Sequence, residues 1–201
     1  MRALERSRPW LALALLSAIL VAPAQAIAMP DDEPLAHQND AGAAAASDQR
    51  ALNREMERFR ASTITLSQAM AIAEALHAGA TTADVSFDGA PPSPVYRVKT
   101  LHNDRIWQHA VDATTGKIVG GEAALPVKEL NAEDRGNLVV LKAIRQRLVD
   151  AVRVAEHAAS GKAISGGLIR EHGRLNFAIV VMSGNDLKEV ILEPPGAAAR
   201  R

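Results

Sequence analysis

Histidine is the residue of this chain best suited to chemistry: there are six, at positions 37, 77, 102, 109, 157 and 172, and no cysteine. An imidazole can ligate a transition metal or carry a proton near neutral pH, but a metal site needs several donors converging on one point. No two of these histidines stand four apart on a helical stretch, no H-E-x-x-H occurs, and a thiolate site is excluded. His102 and His109 come nearest to a pair, flanking the turn residues His102-Asn103-Asp104, so that a hairpin would draw them together.

Other candidate chemistry is thinner still. Glu74 and Glu156 occupy matching places in two helical stretches, a pattern open to paired acid-base work. A solvated helix flank, or a carboxylate that accepts a hydrogen bond from a neighbouring loop, is the stronger expectation. Serines 62, 67, 86 and 93 lack a G-x-S-x-G setting, and Gly161-Lys162-Ala163-Ile164-Ser165-Gly166-Gly167 lacks the order of a phosphate loop. With no catalytic residue, no metal ligand and no cofactor motif identifiable, the chain is expected not to be an enzyme.

The elements that would position these residues centre on 64–120. Thr65 and Gln68 have capping-box spacing, and Leu66, Ala69, Ile72, Ala73 and Leu76 then trace one apolar stripe of a helix, with Gly79 suited to a left-handed cap. After it the period changes to two: Val85 and Phe87, then Tyr96, Val98 and Thr100, then a third strand from about Ile106 to Val111. Asp88-Gly89-Ala90-Pro91-Pro92 and His102-Asn103-Asp104 supply turns. In Asp112-Ala113-Thr114-Thr115-Gly116 the carboxylate can accept backbone amides while Gly tolerates positive φ, after which Lys117-Ile118-Val119 resumes extended structure.

The A-x-x-I-A-E helix at Ala69 to Glu74, the Tyr96-x-Val98 strand and the Val111-Asp112-x-x-x-Gly116-Lys117-Ile118-Val119 ending resemble the PepSY domain. The resemblance implies a non-catalytic module of exported bacterial proteins, of the kind found in propeptides of thermolysin-like metallopeptidases, where it inhibits or chaperones the peptidase it precedes. With no peptidase pattern in the residues that follow, the implied action is in trans.

Ahead of this unit, Arg2, Arg6 and Arg8 precede an apolar run from Trp10 to Ala22, and Ala24-Gln25-Ala26 fits a signal-peptide cleavage site. The run is shorter than the roughly 20 residues of a bilayer span, so residues 1–26 are expected to be removed, leaving no membrane span and a periplasmic or secreted product. Removal takes three arginines and one glutamate from the 23 basic and 23 acidic side chains, leaving 20 against 22. A near-neutral chain has no long-range pull toward nucleic acid. Residues 27–48 are too poor in large apolar groups to fold alone and read as a disordered linker. Residues 48–60, with Leu52, Met56 and Phe59, read as an amphipathic helix docking on its own domain.

Downstream of Pro126, the Asn131-Ala132-Glu133-Asp134 segment offers a helix start, and an apolar stripe through Leu138, Leu141, Ile144, Leu148, Val152 and Ala155 predicts one long helix to about Ser160. Its second half repeats the first unit at an offset of 82, pairing Leu66 with Leu148, Ala69 with Ala151, Ala73 with Ala155, Glu74 with Glu156 and Gly79 with Gly161. At an offset of 81, Tyr96 pairs with Phe177, Val98 with Ile179 and Val111 with Leu192. The reading is a degenerate duplication, with strands near 163–170, 175–182 and 187–193. Because His109 takes the place of Val190, a hydrogen-bonded core histidine is expected there.

The expected fold is α+β: tandem units, each a helix packed on a three-stranded antiparallel sheet. The expected divisions are 1–26 signal peptide, 27–48 linker, 49–125 first PepSY-like unit with its leading helix, 126–196 second unit and 197–201 tail. The expected function is an exported protein-binding or regulatory module that modulates a peptidase in trans or serves an envelope sensor. A periplasmic carrier of a small ligand or metal, using His102 and His109, is the alternative. Arg97, Lys99 and Gln108, on the solvated sheet face, and Trp107 are the candidate partner-binding residues.

Overall fold

In the computed structural model, residues 38–144, 146–171 and 173–194 are described. The expected signal peptide 1–26, the first half of the expected linker (27–37) and the tail 197–201 lie outside them. The element order is α1 (Gln38–Ala61), α2 (Leu66–Ala75), β1 (Thr81–Asp88), β2 (Val95–His102), β3 (Arg105–Asp112), β4 (Ile118–Pro126), a short 3-10 turn, α3 (Ala132–Ala143), α4 (Leu148–Ala159), β5 (Lys162–Glu171), β6 (Arg174–Ser183) and β7 (Asp186–Leu192). The class is α+β, as expected. The strands form one antiparallel seven-stranded sheet in the order β4-β3-β2-β1-β5-β6-β7. Residues Ala46–Arg201 cluster as one compact unit.

α2 and α4 pack on one face of this sheet, α2 over β1, β2 and β3, and α4 over β5, β6 and β7. Alternation explains the core between them. Val85, Tyr96, Val98 and Val111 from the first strands, and Phe177, Ile179 and Val181 from β6, are almost fully buried opposite Leu66, Ala69 and Ala73 of α2 and Leu148, Ala151, Val152 and Ala155 of α4. The alanines let helix backbone approach the pleated surface, which suits a chain with only 3% aromatic residues. Gly166 continues this economy: a Cβ there would meet Leu148 and Val152 at 3.5 Å.

Local devices fix the ends of the elements. Thr65 Oγ1 accepts the Gln68 amide while the Gln68 side chain accepts the Thr65 amide, the reciprocal capping box that the spacing predicts. The helix stops at Ala75 with Leu76 as a right-handed cap, and Gly79 takes its positive φ of 84° one turn later. Tyr96, buried at the sheet centre, sends its hydroxyl to the Ile64 carbonyl at 2.7 Å and so ties the start of α2 to β2. Burial pushes the Tyr96 hydroxyl pKa up to about 12, which keeps it a donor.

Three expectations are corrected. The single helix from 131 to 160 is two helices: Ile144 adopts extended backbone (φ −83°, ψ 143°) and α4 starts afresh after Arg147, whose amide donates to Asp150 Oδ2 at 3.4 Å. The break is needed because α4 belongs to the α2 face, whereas α3 places its Asp134 near Lys99, which alternates away from that face. The first half also carries four strands, not three, because Ile118–Pro126 pairs along β3. Finally, α1 begins at Gln38, so helix occupies part of the expected linker. Its Met56 and Phe59 are buried, and Phe59 meets Phe87 edge-on at 5.3 Å, which docks the helix on its own domain as expected.

Candidate functional site

A cluster of polar rings lies where the loop after α2 crosses β3 and β4. Along β2 and β3 the register pairs Thr100 with Trp107 and Val98 with His109, so Trp107 and His109 share the α2 face of β3. His77, in the turn that leaves α2, lies over Trp107 with ring centroids 4.2 Å apart. It stacks on His102 at 5.4 Å and stands 5.9 Å from His109. His102 and His109 therefore meet only through His77. The register shows why: His109 faces Val98, four residues along β2 from His102, about 13 Å at a strand rise of about 3.3 Å per residue.

Glu122 completes the cluster through a bulge. β3 pairs Gln108 with Ala123 and Ala110 with Val119, leaving Gly120, Gly121 and Glu122 opposite His109 alone. Gly120 adopts a φ of +78°, which a side chain would resist, and such bulges re-aim the residue they carry. The result is a Glu122 Oε1 that lies 2.8 Å from His77 Nε2 and 3.6 Å from His109 Nδ1. A carboxylate oxygen only accepts, so His77 donates from Nε2.

His109 is the buried member, its side chain wholly shielded from solvent. Its Nε2 lies 3.4 Å from Thr100 Oγ1, while Nδ1 has no hydrogen-bond partner. Burial and the nearby His77 lower its pKa, and the Glu122 charge opposes them. A neutral imidazole follows, in line with the expected core histidine. His102 is not aimed at this centre, since its Nε2 accepts from Asn103 Nδ2 at 2.7 Å.

The other expected site residues separate onto two faces. Lys99 stands opposite Gln108, and Arg97 opposite Ala110, so Arg97, Lys99 and Gln108 share the face away from α2. Arg97 and Gln108 are exposed, Arg97 pairing with Asp88 at 2.6 Å, and Lys99 lies 3.5 Å from Asp84. Trp107 faces the other way beneath His77, half-buried, its indole N–H shielded and without a partner. Packing against the loop after α2 covers it.

The two matching glutamates behave alike. Glu74 Oε1 accepts the amide and hydroxyl of Thr82 at 2.8 Å each, and Glu156 Oε1 accepts the Ala163 amide at 2.9 Å. Each thus anchors the first residues of the strand after its helix. Their role is structural, as the loop hydrogen bond predicts. A crevice lined by Tyr96, Glu156 and Lys162, between the two helix-bearing halves, measures only about 40 Å³, against roughly 300–1,000 Å³ for small-molecule sites.

His77 and Glu122 escaped the sequence reading because they are 45 residues apart and share no local spacing. The one available signal was Gly120-Gly121-Glu122 inside an otherwise extended segment, a bulge pattern that re-aims a carboxylate.

A helix capped by a T-x-x-Q box, laid over an antiparallel meander that ends in an Asp-turn-Gly, defines a small α+β module. Residues 63–122 match the PepSY family, described as "Peptidase propeptide and YPEB domain". The resemblance read from residues 64–120 is therefore shown for that segment, under a third of the 201-residue chain. No curated protein matches the chain. Among solved structures, the chain aligns with a protein described as a candidate lipoprotein from Clostridium difficile 630, at 14% identity and a TM-score of 0.39, covering 70% of this chain and 92% of that one.

Proposed function

We propose that this protein is an exported, non-catalytic binding module that modulates a peptidase in trans. The PepSY match over 63–122 carries this reading, since the family is one of peptidase-propeptide modules. The matched segment ends in β4, the outermost strand on its side of the sheet, most of whose residues are exposed. An outermost strand offers backbone donors and acceptors to an added strand of a partner. No helix among the described residues is long and apolar enough to cross a membrane.

The partner-facing residues we assign are Arg97, Lys99 and Gln108, which share one face, with Trp107 supporting the strand from the other. The α4–β5–β6–β7 half, whose Leu148, Ala151 and Ala155 are buried as Leu66, Ala69 and Ala73 are in α2, is read as a degenerate second copy.

The test is a titration of the purified chain into the secreted metallopeptidase activity of its source organism. Loss of peptidase activity at near-equimolar protein, relieved by the double substitution Arg97→Glu and Gln108→Ala, is the expected result. Full activity at a large excess of the chain, with no complex on size exclusion, would overturn the reading.

A further inference from the structure

We infer that His77, His109 and Glu122 form a binding site for one divalent transition-metal cation of the zinc class. The inference is independent of whether the protein binds a peptidase.

The donor set and its spacing support it. One ligand atom from each residue lies within 4.8 Å of the other two. Around a tetrahedral ion with bonds of about 2.0–2.1 Å, neighbouring ligand atoms are about 3.3 Å apart. Glu122 Oε1 is already 2.8 Å from one nitrogen and 3.6 Å from the other, values on either side of that separation. Two imidazoles and a carboxylate favour zinc, copper or nickel over calcium and magnesium, which prefer all-oxygen shells.

An independent observation comes from His109. Its Nδ1 is buried, partnerless and aimed into the cluster. Nε2 has Thr100 Oγ1 beside it at 3.4 Å, while Nδ1 stands 3.6 Å from Glu122 Oε1, so a ring that keeps its proton on Nε2 presents the Nδ1 lone pair to an ion held by that carboxylate. A cation at this point would give the buried Nδ1 its partner, with Thr100 as the outer hydrogen bond that fixes the ring. His77 would coordinate through Nε2 and carry its proton on Nδ1. The Gly120-Gly121 bulge acquires a purpose, because it alone brings Glu122 over His109.

Three protein ligands leave a fourth position for water or for a donor from another molecule. The ion would also staple the loop after α2 to β3 and to the outer strand β4, so loading stiffens that strand.

Equilibrium dialysis of the full chain against zinc, nickel and copper chlorides tests the site, with magnesium chloride as the control. The expected result is one zinc per chain at micromolar or lower Kd, a raised Tm, and no magnesium retained. Glu122→Gln changes a half-exposed side chain without disturbing the core and should weaken zinc at least tenfold. His77→Ala should abolish stoichiometric binding, and His157→Ala should change nothing. In a Trp10→Phe background Trp107 is the sole tryptophan, and its contact with His77 predicts saturable quenching by one equivalent of copper. No saturable zinc binding, or binding and quenching indifferent to Glu122→Gln and His77→Ala in folded protein, would overturn the inference.

Discussion

Replacing Asp112 by Asn should make the protein's stability markedly less dependent on acid. Asp112 Oδ1 accepts the amides of Thr114 and Thr115 at 3.0 and 2.7 Å and the Thr115 hydroxyl at 2.9 Å, and Oδ2 accepts the Ser93 hydroxyl at 2.6 Å. These bonds, with Ser93 the largest contributor, hold the carboxylate down from the ordinary 3.8 to about 2. A difference near two pKa units corresponds to about 2.5 kcal/mol. The carboxylate is covered by its own turn rather than set deep in the core, so solvent screening reduces this to about 1–2 kcal/mol. Because the folded pKa is depressed, the contribution is complete above the unfolded value, near 4, and is lost as pH falls through about 2. Asn keeps an acceptor for the amides but loses the charge and cannot serve Ser93 as Oδ2 does. Urea unfolding at pH 7 should then show the variant about 1–2 kcal/mol less stable, a Tm lower by roughly 2–8 °C at this size. The gap should close as pH approaches 2. A gap that stays constant with pH, or one below about 0.5 kcal/mol at pH 7, would refute the assignment of the stabilisation to the charged acceptor.

Two further substitutions probe the frame. Glu74→Ala removes the acceptor for the amide and hydroxyl of Thr82, itself almost fully buried, and should cost about 2–4 kcal/mol in denaturant unfolding, with Glu74→Gln recovering much of it. Gly161→Ala would place a Cβ 2.3 Å from the Met182 carbonyl oxygen, a backbone atom that cannot swing away. The expected loss is about 3 kcal/mol or more, seen as a strongly lowered Tm or insoluble protein, and a Tm unchanged within error would count against that close approach.

What the sequence revealed was local. Thr65 and Gln68, the alternation of Tyr96, Val98 and Thr100, and the Asp112 to Gly116 turn each specify structure within a few residues, and each is found as read. The errors are long-range. Nothing in the periodicity from Leu138 to Ala155 records that the chain must change sheet faces at Ile144, so two helices read as one. β4 hid behind two glycines that weaken its pattern and create the bulge. The histidine pairing went wrong for the same reason: counting residues across a turn cannot reveal that the loop after α2 inserts His77 between His102 and His109. Trp107 is half-buried, and the ring that covers it, His77, comes from outside the sheet, where no strand pattern could show it.

The narrowest part of the sheet is its centre. β1 and β5 meet over Asp84–Gly167, Val85–Gly166 and Ser86–Ser165, three pairs where every other neighbouring strand pair shares at least six, and two of the three β5 partners are glycines. Each side keeps its own helix and meander, and few backbone pairs hold the seam between them. Amides of β1 and β5 at the seam should therefore exchange with solvent ahead of those in β2 and β6, so that the interior of the sheet has a line along which it lets water in.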